Sequence, residues 1–173
     1  MFICAGESEQ FDFAVPVGIG MIDVAINLTK LCLDKKPEFL FFVGTAGSYG
    51  ERNIFDIVTS KTASNIENGF FNANAYTPID NMVSTAENVS RETIINSSHY
   101  ITTDKNLGKD YLSKNIHLEN MEYYAVLKVA RAFEIPAAGV FIVTNYCNEH
   151  AHRDFLKNHK EAMDRLTQYI KEK

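Results

Sequence analysis

The 173-residue chain has the composition of an ordinary globular protein, with 46% hydrophobic and 23% charged residues. Its net charge of −5 gives no electrostatic reason to expect binding to nucleic acid or to a membrane surface, and it suits a small-molecule ligand. Three cysteines without close pairing argue against a disulfide framework and predict a reducing, cytoplasmic location. The length predicts one domain over residues 1–173, and no run approaches the roughly 20 apolar residues of a membrane span.

The first third of the chain predicts alternating strands and a helix. Residues 1–5 and 13–17 are expected to form short strands. Apolar residues then recur at helical spacing over residues 21–34 and predict an amphipathic helix. The continuous apolar run 39–43 is typical of an inner strand of a largely parallel sheet. Residues 44–48 are small, and we expect them to form a loop after that strand.

The rest of the chain predicts further alternation. We expect a strand at 54–60, irregular structure with short strands over the Asn-, Ser- and Thr-rich stretch 61–95, and a strand edge at 98–102. A helix is predicted at 120–133, a strand at 138–143, and a helix from 151 to the end. This order predicts an α/β fold with a central sheet covered by helices. Ligands of such sheets bind beyond the carboxyl ends of strands, which points to residues 6–10, 44–48 and 144–152.

Several polar residues in or near these segments can carry chemistry, and each has a plainer interpretation. Thr45, in a glycine-rich turn, can donate its hydroxyl to a ligand, or the turn can be merely tight. Glu122 can accept hydrogen bonds from the vicinal hydroxyls of a ribose, or it can favour a helix amino end. Glu7 and Glu9 can act as general acid or base in a closed cleft, or they can lie in a solvated loop.

Two further candidates lie near the carboxyl end. Asn145 offers a donor and an acceptor that suit the edge of a 6-oxopurine, although Asn is also frequent in turns. Cys147 and three nearby histidines make a zinc site conceivable. The second cysteine pair of a structural site is missing, however, so ordinary polar residues at a helix start are favoured and no metal is predicted.

Taken in order, these segments resemble the nucleoside phosphorylase/nucleosidase superfamily. Residues 18–20, Gly-Ile-Gly, are similar to its Gly-Ile-Gly-Lys segment, and residues 44–47, Gly-Thr-Ala-Gly, to its Gly-Thr/Ser/Val-Ala-Gly-Gly loop. Residues 120–125 resemble its Asp/Glu-Met-Glu-Ala-Ala-Ala helix start. Residues 141–145 and 149–155 resemble the Ile-Ser-Asp…Ala-His-x-Ser-Phe ending of methylthioadenosine/S-adenosylhomocysteine nucleosidases. The resemblance implies a three-layer phosphorylase/hydrolase-like fold, in which helices flank a central mixed sheet.

The resemblance also implies roles at the sugar and the base. Glu122 would bind the ribose hydroxyls and favour an oxocarbenium-like transition state, and Met121 would pack on the sugar. Residues 96–101 resemble the family's Ser-Gly-Asp-x-Phe-Ile stretch, so Tyr100 would stack on the base and Ile101 would offer backbone hydrogen bonds. Asn145 stands at the place of the acid that protonates N7 of the leaving purine.

On the side of the nucleophile, the resemblance places Thr45 near the attacking water or phosphate, in the neighbourhood of Gly44 and Gly18. Glu9, or alternatively Glu7, would stand near the water-activating Glu of the nucleosidases. The same resemblance implies a homodimer that uses no metal and no organic cofactor. Phosphate would be a co-substrate only if the protein were a phosphorylase.

Two departures from the family pattern direct the functional prediction. Asn145 replaces the nucleosidase Asp, as in trimeric purine nucleoside phosphorylases that accept 6-oxopurines, and an amide can only stabilise the leaving base by hydrogen bonding. Phe42 replaces the phosphate-binding arginine of bacterial phosphorylases, and none of the chain's arginines falls in a recognised phosphate position. We therefore expect hydrolysis of an inosine-, guanosine- or futalosine-like nucleoside. Phosphorolysis and a catalytically weak nucleoside-binding protein are the alternatives.

Overall fold

Nine strands and four α-helices make up the part of the chain that the structure, a computed structural model, describes: residues 1–73, 75–86, 88 and 92–173. The strands are β1 Phe2–Cys4, β2 Val15–Pro16, β3 Leu40–Ser48, β4 Ile57–Ser60, β5 Thr62–Ser64, β6 Met82–Ser84, β7 Ile94–Ser97, β8 Ile116–Asn120 and β9 Ala137–Tyr146. The helices are α1 Gly20–Lys35, α2 Lys105–Ser113, α3 Tyr123–Ala132 and α4 Ala151–Lys171.

The side chains of the central strands alternate between two apolar layers. In β3, Phe42 packs in the core shared with α1 and α3, whereas the adjacent Val43 packs in the core shared with α4. In β9, Phe141 likewise packs in the core shared with α1 and α3, and Ile142 packs in the core shared with α4. Because successive side chains of a strand point to opposite faces, α1 and α3 cover one face of the sheet and α4 covers the other.

Helix α2 belongs to the same layer as α4. Its Tyr111 packs with Ile94 of β7 and Ile116 of β8, whereas Ile95 and Leu118 face the layer of α1 and α3. The sheet contains both parallel pairs, such as β3 with β9, and antiparallel pairs, such as β3 with β8. The predicted α/β fold, with a central mixed sheet flanked by helices, is therefore confirmed.

An opening beside β3 positions the site. Strand β9 runs parallel to β3 along its whole length on one side. On the other side β1 pairs with β3 only at Phe41 and Phe42, and β8 pairs with it only at Gly47 and Ser48. Residues 43–46 therefore have no strand neighbour there within the described chain. Because β1 is parallel and β8 antiparallel to β3, the carboxyl ends of both strands meet at this opening.

Three predicted boundaries were wrong. Residues 44–48 are not a loop but the second half of β3, because their backbone continues to pair with β9 past a bulge between Ala46 and Gly47. Residues 98–102 are not a strand, and the strand β7 ends just before them. The helix predicted at 120–133 begins only at Tyr123, since residues up to Asn120 belong to β8.

The polar middle of the chain follows its prediction in the part that can be described. It contains the short strands β5 and β6, the beginning of β7, and a 3-10 turn at Asn68–Phe70. Residues 74, 87 and 89–91 of that stretch, including Arg91, lie outside the described residues. Helix α2 and strand β8 were not predicted. None of the described helices is long and apolar enough to cross a membrane.

Candidate active site

A cavity of about 300 Å³ occupies the opening beside β3. That volume lies at the lower end of the roughly 300–1,000 Å³ typical of small-molecule sites. The loop after β1, the unpaired stretch of β3, the ends of β8 and β9, and the start of α4 all contribute to its wall. The lining residues are Ala5, Gly6, Ser8, Glu9, Ile19, Thr45, Ala46, Gly47, Tyr100, Ile101, Glu119, Asn120, Met121, Glu122, Asn145, Ala151, His152 and Phe155.

Glu122 is the residue that immediately precedes α3, and it is buried with 7% exposure. Its side chain reaches the amino end of another helix, α1. There the Gly20 amide donates to Oε1 at 2.8 Å, and the Met121 amide donates to Oε2 at 3.0 Å. Burial raises the pKa of Glu122 to about 7; the charge of Glu9 also raises it, and the two amide donors lower it. The positive end of α1 thus holds a carboxyl group at the cavity wall.

The Gly18–Gly20 turn makes this contact possible. Gly18 has a φ of 108° and Gly20 a φ of 78°, a conformation that residues other than glycine rarely adopt. A Cβ on Gly18 would also lie 2.7 Å from the Cβ of Asp23. The turn directs the first amide of α1 at Glu122 and places Ile19 in the cavity wall.

Thr45 holds the side chain of Glu9 at the cavity wall with two hydrogen bonds. The Thr45 backbone amide donates to Glu9 Oε2 at 2.9 Å, and the Thr45 hydroxyl donates to Oε1. Gly44 leaves room for this approach, because a Cβ there would lie 3.1 Å from Glu9 Oε2 and 2.9 Å from the Phe42 ring. Glu7, the alternative candidate, is exposed in the same loop with a left-handed φ of 52°.

Asn145, near the end of β9, is 6% exposed and lines the cavity. Its Oδ1 accepts from the Thr144 hydroxyl at 2.9 Å, and its Nδ2 donates weakly to the Tyr146 carbonyl at 3.3 Å. A Cβ on Gly47 would lie only 3.0 Å from Asn145 Nδ2. Gly47 therefore keeps one face of the amide uncovered.

Glu119 was not among the candidates predicted from the sequence, where it directly precedes the helix expected at 120–133. Glu119 lies on β8, lines the cavity and is 5% exposed. The Thr102 amide donates to its Oε1 at 2.8 Å, and the Tyr49 hydroxyl donates to its Oε2 at 3.0 Å. The Thr102 side chain and the Cys147 thiol also hydrogen-bond to the carboxylate. Burial raises the pKa of Glu119, and these donors lower it.

Tyr100 and Ile101 form part of the cavity mouth. Their exposed fractions are 80% and 53%, so their side chains are available to a ligand. The Ser98 hydroxyl organises the turn, because it accepts from the Tyr100 amide at 3.0 Å and donates to the Tyr100 carbonyl at 2.9 Å. Tyr100 and Ile101 also border a second cavity of about 360 Å³ beside the start of α2.

Helix α4 contributes the lining residues His152 and Phe155. His152 is one of the three histidines near Cys147 for which a zinc site was considered. Among the described residues, no group of three or more His, Cys, Asp or Glu could hold a metal ion. His150 is exposed, and burial raises the pKa of the Cys147 thiol well above its usual value. The raised pKa disfavours the thiolate form of Cys147, which is the form that binds metal ions and acts as a nucleophile.

The cavity wall carries acids but, among the described residues, neither lysine nor arginine. Phe42 is 1% exposed and packs against the rings of Tyr123 and Phe141 at 6.0 and 5.7 Å between ring centroids. Of the four described arginines, one donates to the Thr93 hydroxyl and three pair with carboxylates outside the cavity wall: Arg52, Arg131, Arg153 and Arg165.

Comparison with known proteins relates this architecture to a family. A family model described as the phosphorylase superfamily matches residues 12–172. A Helicobacter pylori methylthioadenosine/S-adenosylhomocysteine nucleosidase mutant, solved with 5′-methylthioadenosine in its active site, is similar over 99% of this chain and 95% of that chain, with 14% identity and a TM-score of 0.81. No curated protein matches the sequence.

Two further solved structures share the fold. A futalosine hydrolase mutant of Helicobacter pylori is similar over 98% of this chain and 95% of that chain, with 15% identity and a TM-score of 0.82. The Streptococcus pneumoniae MTA/SAH nucleosidase in complex with 8-aminoadenine gives the same coverages, with 16% identity and a TM-score of 0.78. At such low identity these likenesses establish the fold.

Proposed function

This chain belongs to the phosphorylase superfamily, and on that premise we propose that it cleaves the N-glycosidic bond of a purine nucleoside, with water as the nucleophile and a 6-oxopurine as the leaving base. The observation that carries the proposal is Glu122, a buried carboxyl group in a cavity of nucleoside size. A carboxylate there matches the paired hydroxyl donors of a ribose.

Glu122 is equipped to bind the sugar. An ionised carboxylate has about four acceptor sites, and the Gly20 and Met121 amides occupy one on each oxygen. The remaining sites can accept the 2′- and 3′-hydroxyls, and Met121 can pack against the ribose ring. The negative charge then stabilises the positive charge that develops on the sugar as the bond to the base breaks.

Glu9 is the proposed base that activates water. The two Thr45 donors hold its carboxylate at the cavity wall, whereas Glu7 is exposed. Glu9 takes a proton from water while the water oxygen bonds to C1′ and the bond from C1′ to the base nitrogen breaks. The electron pair of that bond leaves with the base. The Asn145 amide donates to the departing purine and stabilises its negative charge, and solvent supplies the proton.

The cavity wall favours water over phosphate. A phosphate dianion in a closed site requires charge-assisted donors, and the described wall offers none from lysine or arginine. Phe42, where bacterial phosphorylases have an arginine, is buried among aromatic rings. These observations support hydrolysis, and phosphorolysis remains the alternative that an assay must address.

The base is proposed to lie between the mouth and Asn145. Tyr100 would stack on it, and the backbone of Ile101 would hydrogen-bond to its edge. The amide of Asn145 offers a donor for N7 or O6 of a 6-oxopurine, in place of an acid that could protonate the base. A futalosine-like nucleoside belongs to this class, and one solved relative is a futalosine hydrolase.

A base-release assay tests the proposal. Inosine, guanosine, adenosine, methylthioadenosine and futalosine are incubated with the protein, with and without phosphate, and the free base is measured by chromatography. We expect release from the 6-oxopurine nucleosides at a rate independent of phosphate. Strict dependence on phosphate would identify a phosphorylase. Binding without turnover would identify a nucleoside-binding protein.

A substitution at Glu122 tests its proposed role in ribose binding. Glu122→Gln preserves the shape of the side chain and removes its charge, so we expect kcat/KM to fall by at least about 100-fold. Glu38→Gln, which removes an exposed carboxylate, is the matched control and should keep wild-type activity. Unchanged turnover in Glu122→Gln would show that the ribose assignment is wrong.

A further inference from the structure

The Glu122 carboxyl group lies between the amino ends of two helices. It accepts from the Gly20 amide of α1 at 2.8 Å, although Glu122 itself is the residue directly before α3. The first amides of a helix have no acceptor within that helix, and they attract a nearby carboxylate. The Glu122 side chain nevertheless does not cap α3. Other groups must therefore accept from these amides if the carboxylate is to stay at α1 and at the cavity wall.

Two side chains from neighbouring strands accept from the first amides of α3. Oδ1 of Asn120, the last residue of β8, accepts from the Tyr123 amide at 3.2 Å and more weakly from the Glu122 amide at 3.4 Å. Ser97, the last residue of β7, is fully buried, and its hydroxyl oxygen accepts from the Tyr124 amide at 2.9 Å. The same hydroxyl donates to Asn120 Oδ1 at 2.8 Å, so the two side chains hold each other in place.

Ser97 accepts from an amide for which Glu122 is the natural competitor. The side chain of an N-cap residue commonly accepts from the amide two or three positions further along, which here is Tyr124 or Ala125. The Ser97 hydroxyl is the acceptor that the described structure gives the Tyr124 amide. A buried donor left without an acceptor costs free energy. If the hydroxyl were absent, the Glu122 carboxylate would be drawn to this amide and away from α1.

We propose that Ser97 and Asn120 are positioning residues for Glu122. By accepting from the first amides of α3, they keep the Glu122 carboxylate at α1 and free to accept from a ribose. The ribose part of this inference rests on the proposed function, whereas the position of the carboxylate does not. Ser97 is not among the residues that line the cavity, so it acts through Glu122 and not by contact with a ligand.

Ser97→Ala removes the hydroxyl, and Ser64→Ala is its matched control. Ser64 of β5 is equally buried, and its hydroxyl donates to Oδ1 of another asparagine, Asn96, at 2.9 Å. The other side-chain bonds of Asn96 go to the backbone of Ile66, away from the start of α3. Ser97→Cys keeps nearly the same volume with a thiol, which is a weak acceptor, and repeats the test with less change in packing. Thermal melting establishes that each variant is folded.

Nuclear magnetic resonance of isotope-labelled protein reports where the carboxylate lies. The Gly20 amide donates to Glu122, so its proton should resonate downfield of a free amide proton in the wild type. In Ser97→Ala and Ser97→Cys the Gly20 resonance should move upfield, because the carboxylate leaves this amide. Ser64→Ala should leave the Gly20 resonance in place. This measurement requires neither a ligand nor turnover.

Calorimetry then measures what the position of Glu122 does for binding. The ligands are carbocyclic inosine, whose ring keeps the two vicinal hydroxyls, and hypoxanthine, which has none. We expect Ser97→Ala to bind carbocyclic inosine at least about 10-fold more weakly than the wild type, since the hydroxyls lose a charged acceptor. The affinity for hypoxanthine should stay the same. Ser64→Ala should bind both ligands as the wild type does.

The two measurements separate this inference from the proposed function. An unmoved Gly20 resonance in Ser97→Ala, or equal effects of Ser97→Ala and Ser64→Ala, would overturn the positioning role. Equal weakening of carbocyclic inosine and hypoxanthine would also overturn it, because it indicates a general loss of structure. If the Gly20 resonance moved as expected but the wild type neither bound nor cleaved a nucleoside, the positioning of Glu122 would stand and the proposed function would fail.

Discussion

Glu9 and Glu122 are two carboxyl groups in one cavity, and their environments differ. Glu9 receives both donors of Thr45, and Glu122 receives the Gly20 and Met121 amides but is the more deeply buried. The pKa of Glu122 rises to about 7, chiefly through burial and also through the charge of Glu9. The pKa of Glu122 therefore lies near neutral pH. A carboxyl group that binds ribose hydroxyls as an acceptor must be ionised, so nucleoside binding should depend on pH in this range.

Replacing Glu9 should shift this titration. Glu9→Gln removes a negative charge that raises the pKa of Glu122, so the pKa of Glu122 should fall. Nucleoside affinity should then persist to lower pH than in the wild type. Calorimetry with carbocyclic inosine, which retains the diol but has no glycosidic bond, measures the affinity between pH 5.5 and 8.5. Coincident pH profiles for the variant and the wild type would falsify the electrostatic coupling.

The sequence indicated most of these residues but not their environment. The order of Thr45, Glu122 and Asn145 predicted that they meet, and all three line one cavity. Glu119 was missed because strand β8 was not predicted and the helix was expected to begin at the next residue. The alternation of buried apolar and polar residues over residues 116–119 is typical of a half-buried strand, and that pattern could have revealed it.

At the scale of elements, the small residues in the second half of β3 led to the incorrect prediction of a loop. Gly44, Thr45, Ala46 and Gly47 are small residues that suggest a loop, yet they continue the strand. Their lack of bulk serves the site, since Glu9 approaches Gly44 and Asn145 approaches Gly47. A local pattern cannot distinguish a turn from a strand kept small to admit a ligand.

Helix α2 and strand β8 were missed for another reason. Residues 105–113 are mostly polar, and only Gly108 and Tyr111 are buried, so no apolar periodicity predicts the helix. It is held by tertiary contacts, among them the stacking of Tyr111 on Tyr49 at 4.4 Å between ring centroids. The Asp104 side chain also accepts from the Asn106 amide and caps the helix.

The junction of β7 and β8 contains a pH-sensitive bond. His117 of β8 is 9% exposed, and its Nδ1 accepts from the Ile94 amide at 3.1 Å. That nitrogen can accept only when it carries no proton. Burial lowers the pKa of His117; Glu51 raises it and Arg52 lowers it. The folded state therefore binds fewer protons than the unfolded state near the usual pKa of His.

This linkage predicts a loss of stability in acid. As pH falls through 6.5 toward the lower folded pKa, the unfolded state takes up the proton first, so the free energy of unfolding decreases. His117→Gln lacks this titration, and its urea midpoint should change less between pH 7 and pH 5 than that of the wild type. His99→Gln removes an exposed imidazole and is the control. Equal slopes for wild type and His117→Gln would contradict the assignment.

At the scale of the whole molecule, distant parts of the chain form one sheet. Strand β9, from the last quarter of the chain, pairs with β3 and also with β4. Helix α4, which follows β9 in the chain, packs on the face of β9 that carries Val140 and Ile142. We infer from this interleaving that residues 1–173 act as one domain, as their length predicts. A site assembled from β1, β3, β8 and β9 requires all of them to fold together.

Helix α1 presents two apolar faces, and only one of them is covered. Val24, Leu28 and Cys32 are buried against the sheet. An exposed stripe on α1, formed by Ile22, Ile26 and Leu33, has exposures of 65%, 49% and 63%. Exposed apolar patches of this kind mark interaction surfaces. Ile19, just before the helix, is 41% exposed and also lines the cavity, so the stripe continues to the site.

We propose that the occupant of this stripe is a second copy of the chain, in agreement with the homodimer expected from the sequence. Asp23 and Lys30, both exposed on α1, supply charges of both signs, so two copies related by a twofold axis can complement each other. The twofold contact would lie beside Ile19 and narrow the cavity mouth. Sedimentation velocity should therefore give the wild type a mass twice its 19.5 kDa.

The double variant Ile22→Glu, Ile26→Glu places like charges at the centre of that contact and should sediment as a monomer. Its KM should rise, because the partner no longer borders the mouth near Ile19, whereas Glu122 and Glu9 keep their bonds. Ile79→Glu adds a charge at an equally exposed apolar residue, 63% against 65% for Ile22, and should remain dimeric. A monomeric wild type, or a double variant that still dimerises, would show that α1 is not the interface.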